Sequence, residues 1–152
     1  MLVRSFPMAL FALISAFGAS AQACPNLTGH YTCTYDGQFG HKVFELDGKT
    51  NKDKNGATIY VVNGKEVYTD GQKHHTDSLP ILDQWADDVN YTGTCNGENR
   101  IHIVGDARVK RYNMRADLDG DLIKRNEKDL TAAFRVKMGF FGTDIEVPCV
   151  KK

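Results

Sequence analysis

From residue 29 onward, short β-prone segments alternate with turns of only a few residues. Parallel strands need crossovers of about a dozen residues or more, so strands joined this tightly pair antiparallel. The segment GHYTCTY puts Tyr31, Cys33 and Tyr35 on one face and His30, Thr32 and Thr34 on the other, the alternation of a strand with one dry side. HKVFEL follows, then the polar loop KTNKDKNG. In ATIYVVNGKEVYTDG two β-rich runs flank Asn63 and Gly64, a pair that accepts the positive φ of a type I′ hairpin turn. DSLPILDQWADD departs from the rhythm. Asp77 or Ser78 suits a cap, Pro80 a first helical turn, and Ile81, Leu82 and Trp85 a shared face, which predicts one short helix near 79–87.

After that come VNYTGTC, NRIHIV, a long strand through ARVKRYNMRADL, a turn at DGD, then LIKRN, LTAAFRVKM, a GFFG loop expected to close the core, and DIEVPCV. A meander of so many strands must close on itself or split into two packed sheets, since a flat sheet would leave long edges exposed. The predicted fold is all-β: a single antiparallel up-and-down barrel of about eight to ten strands, with a β-sandwich as the alternative.

The chain opens with Arg4 and the apolar run FPMALFALISAFGASA, which contains Pro7 and Gly18 and ends in small residues. This has the form of a secretory signal peptide, residues 1–23, because the run is shorter than the roughly 20 residues that cross a bilayer. Residues 24–152 then form one domain. Cys24 sits at the expected cut, where a lipid is one possible fate and would tether the protein to a membrane. The better expectation is a disulfide, because Cys24 belongs to an even set with Cys33, Cys95 and Cys149 in an exported chain. Four cysteines allow three pairings. The preferred one joins Cys24 to Cys149, tying the chain ends, and Cys33 to Cys95, joining two strands. The compartment expected is the bacterial periplasm or the exterior.

Formal net charge is zero, yet residues 24–99 carry six Lys and Arg against eleven Asp and Glu, and residues 100–152 carry twelve against eight. Such halves pair across one compact surface. Neither is concentrated enough for nucleic acid, and no nucleic-acid partner is expected.

Catalytic motifs are absent: the sequence has no GxSxG, no HExxH and no glycine-rich phosphate loop, so an enzyme is not expected and no catalytic residue is assigned. Asn51, Asp53 and Asn55 sit at alternate positions before Gly56 as in a calcium loop, but Val62 occupies the twelfth position, where a carboxylate is needed. A hairpin loop is expected there instead. His30, His74 and His102 would meet only if the strand order brought them together, so no metal or other cofactor is expected. In RVKRYNMRADL, an inward face of Tyr112, Met114, Ala116 and Leu118 carries Arg108 and Lys110 inward with it. Two cations at a barrel mouth above Tyr112 suit the anionic head of an apolar ligand. A bulge near Val109 would turn them outward instead.

NLTGHYTC has Gly29 two residues ahead of Tyr31 at the head of the first strand. This resembles the GxW opening of lipocalins and related calycin barrels, with Tyr31 in place of Trp, and the up-and-down rhythm is similar too. The resemblance implies a barrel that binds a small hydrophobic or amphipathic molecule. YTC and Cys95 are also similar to small periplasmic lysozyme-inhibitor barrels, although the SGxxY-type loop is missing. The expected function is therefore that of a monomeric exported binding module for a small amphipathic or apolar anionic ligand. Tyr31, Tyr35, Tyr91 and Tyr112 would line its cup, with Arg108 and Lys110 at the acidic head. The alternative is a protein-binding module, such as an inhibitor of an envelope or foreign hydrolase, acting through GFFG or the segment around Trp85.

Overall fold

The computed structural model describes residues 23–152, so the expected signal peptide lies, but for Ala23, outside the described residues. The chain makes ten strands: β1 (Gly29–Gly37), β2 (Gly40–Lys52), β3 (Thr58–Val62), β4 (Lys65–Tyr68), β5 (Asp70–Thr76), β6 (Ala86–Cys95), β7 (Arg100–Val109), β8 (Met114–Lys124), β9 (Asp129–Met138) and β10 (Phe141–Lys151). They form one sheet in the order β4-β3-β2-β1-β10-β9-β8-β7-β6-β5, every pair antiparallel. This is a nearly closed up-and-down barrel. Alternation builds its interior: Tyr31, Cys33 and Tyr35 of β1 are buried, as are Ile145, Val147 and Cys149 of β10. Among the described residues no helix is long and apolar enough to cross a membrane.

Several turns follow their chemistry. Asn63 and Gly64 both take positive φ, 50° and 78°, between β3 and β4. Asp53 folds the β2–β3 loop by accepting the backbone N–H groups of Asn55 and Ala57 at 2.8 and 2.9 Å, the hairpin expected there.

Other expectations are corrected. The segment ARVKRYNMRADL is not one strand: Lys110–Asn113 is the turn between β7 and β8, with Asn113 at φ 50°. The turn expected at DGD is the middle of β8. Asp117, Asp119 and Asp121 form its outer face, while Leu118 and Gly120 point inward. Gly120 is required there because the Phe134 ring lies across it: a Cβ would stand 2.2 Å from Phe134 Cδ1. The helix near 79–87 is a single 3-10 turn, Leu82–Gln84. Phe140 and Phe141 do not close the core, since the first is fully exposed and the second 79 % exposed.

The disulfides are Cys24–Cys95 and Cys33–Cys149, which exchanges the preferred partners. The strand order dictates this. β1 pairs directly with β10, placing Cys33 opposite Cys149 with Cα atoms 4.0 Å apart, while Cys24 enters beside the end of β6. Closing loops with separations of 71 and 116 residues stabilises by about 4–5 kcal/mol each on the chain-entropy model. Cys24 sulfur is thus engaged with Cys95 rather than free for a lipid.

The β4 and β5 edges share no ladder. Thr69 joins them in sequence, the Tyr68 ring stacks on His74 of β5 at 4.4 Å between centroids, and the Tyr68 amide reaches past β5 to donate to Tyr91 Oη on β6 at 3.1 Å. His74 is held in turn by Asp70 at 2.8 Å.

Candidate functional site

Two segments fill the barrel from its ends. At one end, residues 24–28 cross the opening. Tyr60 Oη donates to the Pro25 carbonyl at 2.7 Å, and the Leu27 amide donates to Thr50 Oγ1 at 2.8 Å. Burial pushes the Tyr60 hydroxyl above its ordinary pKa, so it remains a neutral donor. At the other end the β5–β6 connection dips inward and buries Leu79, Ile81 and Leu82. Ile81 sits at φ 75°, ψ −54°, a conformation that a β-branched residue adopts only when its surroundings impose it.

This inward connection divides the interior. Beneath it lies an apolar cavity of about 60 Å³, lined by Leu27, Tyr31, Tyr60, Leu79, Ile81 and Phe134 among others, with no charged group. Above it, at the mouth, is a cup of about 240 Å³. The cup floor and walls are Phe39, Leu82, Trp85, Leu118, Val136, Met138 and Ile145. Lys42, Lys110 and Arg111 also line it, and no carboxylate does. A shallower groove of about 580 Å³ runs outward from Phe39 and Met138 past Tyr112 and Met114 to Phe141.

The three cations arrive by different routes. Lys42 is paired in register with the inward Tyr35 and shares a strand face with Phe44 and Leu46, so its ammonium stands on the inner side of the sheet. Lys110 and Arg111 belong to the β7–β8 turn. Lys110 Nζ donates to the Asp83 carbonyl at 2.5 Å, fastening that turn to the inward connection, and the Arg111 guanidinium lies 5.7 Å from the Tyr112 ring centre. Trp85 packs edge-on against Tyr35 at 4.8 Å, and its buried Nε1–H has no acceptor among the described residues. The site thus combines an apolar cup, three cationic side chains with no carboxylate in the lining, and one unused donor.

The residues singled out from sequence are distributed unevenly. Lys110 and Tyr112 meet at the cup. Tyr31 instead lines the lower cavity, and Tyr35 lies inside the barrel against Trp85. Tyr91 is buried at the β4–β5 seam, where burial raises its pKa. Arg108 is on the outer face, because Ala107 and Val109 take the inner positions, and its Nε donates to Asp87 at 2.7 Å. That hydrogen bond holds Asp87 below the usual carboxylate range. β7 itself runs in unbroken register against β8, and the register shift beside it lies in β6, between Asp87 and Asn90; the turn at Lys110–Asn113 ends the alternation that would have carried Arg108 inward.

Lys42, Arg111, Phe39 and Met138 were not singled out from the sequence. Lys42 was legible in principle, since in HKVFEL it falls in phase with Phe44 and Leu46. The histidines do not converge: His30 faces Asp47, His74 faces Asp70, and His102 lies between Asp119 and Asp121. No group of three metal-ligating side chains occurs among the described residues. No protein-family model, curated protein or solved structure matches this chain.

Proposed function

We propose that the protein is an exported binding module of the lipocalin-like kind that holds a small amphipathic anion at the barrel mouth. Placement of Lys42 carries this reading. A lysine on the inner face of a sheet, above an apolar cup and with no carboxylate in the lining, is placed to meet the acidic head of a ligand whose tail fills the cup. Lys110 and Arg111 add to the same field, and the buried Trp85 N–H is a donor that a ligand oxygen would satisfy. The cup volume is just below the roughly 300–1,000 Å³ usual for ligand pockets, which favours a short chain or a single ring system with an acidic head. Two disulfides suit an oxidising compartment, the periplasm or the exterior.

Calorimetric titration with laurate below its micelle concentration tests this. Binding to the unmodified protein is expected, with affinity falling about tenfold or more in Lys42→Glu, the loss of one partly buried charge-assisted contact. Arg108→Glu should bind as the unmodified protein does, since Arg108 points away from the cup. Equal affinity in Lys42→Glu would refute the assignment. The second reading, a protein-binding module acting through its loops, is favoured by the exposed Phe140 and Phe141, and it expects no response of partner binding to Lys42→Glu.

A further inference from the structure

We propose that the rim beside the cup docks the barrel mouth onto an anionic lipid bilayer, from which the ligand is drawn; this rests on the mouth being the binding site. Phe140 projects completely from the two-residue turn between β9 and β10, and Phe141 follows at 79 % exposure. Across the groove, Tyr112 and Met114 on the neighbouring turn are 48 % and 58 % exposed. These four side chains stand at one end of the molecule. Phe140 stands furthest clear of the fold, so its ring can enter a fluid apolar phase without any rearrangement of the barrel.

Charge selects the kind of bilayer. In the three turns that surround the groove, residues 37–39, 109–114 and 138–142, the only charged side chains are Lys110 and Arg111. Aromatic and aliphatic groups flanked by cations match the boundary of an anionic membrane, where apolar side chains enter the acyl region and cations meet the headgroups. The groove then leads from the membrane surface to the cup, past Phe39 and Met138, which line both. A ligand with an acidic head and an apolar tail would travel from lipid to cup without crossing open water.

The test is flotation of the oxidised protein with vesicles of equimolar phosphatidylglycerol and phosphatidylcholine, and with phosphatidylcholine alone. The single tryptophan, Trp85, lies at the mouth and serves as a fluorescence reporter of contact. Expected results are partitioning about tenfold or more stronger on the anionic vesicles, and a loss of about tenfold or more in the double variant Phe140→Ser/Phe141→Ser. Because both side chains are exposed, the variant should keep the parent circular dichroism spectrum and thermal midpoint, which separates loss of docking from loss of fold. Absence of vesicle binding, or equal binding by the variant, would overturn the docking proposal, as would a rim that ignores vesicles and captures a folded protein. Laurate titration of the unmodified protein reports on the cup alone, so a failed cup and a failed rim give different results.

Discussion

Gly120 shows how much one missing carbon can decide. Its Cα is covered by the Phe134 ring, and a methyl group would also stand 2.7 Å from the Ala133 carbonyl oxygen, a backbone atom with little room to retreat. Gly120→Ala is therefore expected to destabilise the fold by about 1–3 kcal/mol, the usual cost of overpacking. Urea denaturation measures this; a midpoint equal to that of the parent would refute the packing described. The same residue explains a misreading of the sequence. Asp-Gly-Asp has turn composition, but Asp117, Asp119 and Asp121 are spaced by two, which is the polar face of a strand. Composition and period disagreed there, and period was right. At Lys42 the period was equally informative, yet a lysine is so rarely an inner residue that its phase with Phe44 and Leu46 passed unnoticed. Arg108 went the other way while Lys110 stayed at the cup, because a lone Asn113 is the only Gly, Pro or Asn in RVKRYNMRADL to mark the turn.

Among the elements, most strands were legible because they bury alternate residues on one side, whereas β5, which buries none, leaves no such signal. Where two strands joined by a turn containing Asn at positive φ were read as one, Ala116 and Leu118 beyond the turn point inward as expected, but Arg108 before it was assigned to the wrong face. The inward connection between β5 and β6 was recognised as different but not as a divider of the interior, since nothing local announces that Leu79, Ile81 and Leu82 turn into the barrel. A contact made across the whole fold settles that. The β4–β5 seam is likewise invisible in the sequence, and it sets the order in which parts of the barrel should open. Having no ladder between them, β4 and β5 are each paired on one side only, and across the seam just one amide-to-phenol bond to β6 and stacked rings hold them, whereas β9 is paired on both sides. Native-state hydrogen exchange should show Val67 and the β5 amides opening at lower free energy than Ala132 and Phe134. Uniform protection across these three strands would contradict it.

At the scale of the whole molecule, the acidic first half and basic second half meet across the sheet. Arg108 pairs with Asp87, Arg115 with Asp88 and Asp106, and Lys152 with Glu45. Hydrogen bonds from Arg108, Arg135 and Lys152 hold Asp87, Asp144 and Glu45 below their ordinary range. For Asp106 burial acts upward, but bonds from Arg115 and Asn90 outweigh it and the net shift is down. A carboxyl with a folded pKa below its unfolded one stabilises above the unfolded value, and that contribution disappears as pH falls through the folded value. Stability should thus be level above about pH 5 and decline below about pH 4, with a shallower decline in Asp106→Asn. Urea midpoints measured across that interval check it, and a flat profile into strong acid would contradict it.

The Cys33–Cys149 bond has a mechanical meaning as well. Tension applied along the chain from either side of the barrel passes from β1 into β10 through that covalent link and bypasses most of the sheet, so the segment between Cys33 and Cys149 cannot lengthen. A machine that threads polypeptides would meet this closed loop on reaching Cys149 from the C-terminal side, and would have to pull it as a doubled chain unless a reductant opened it first.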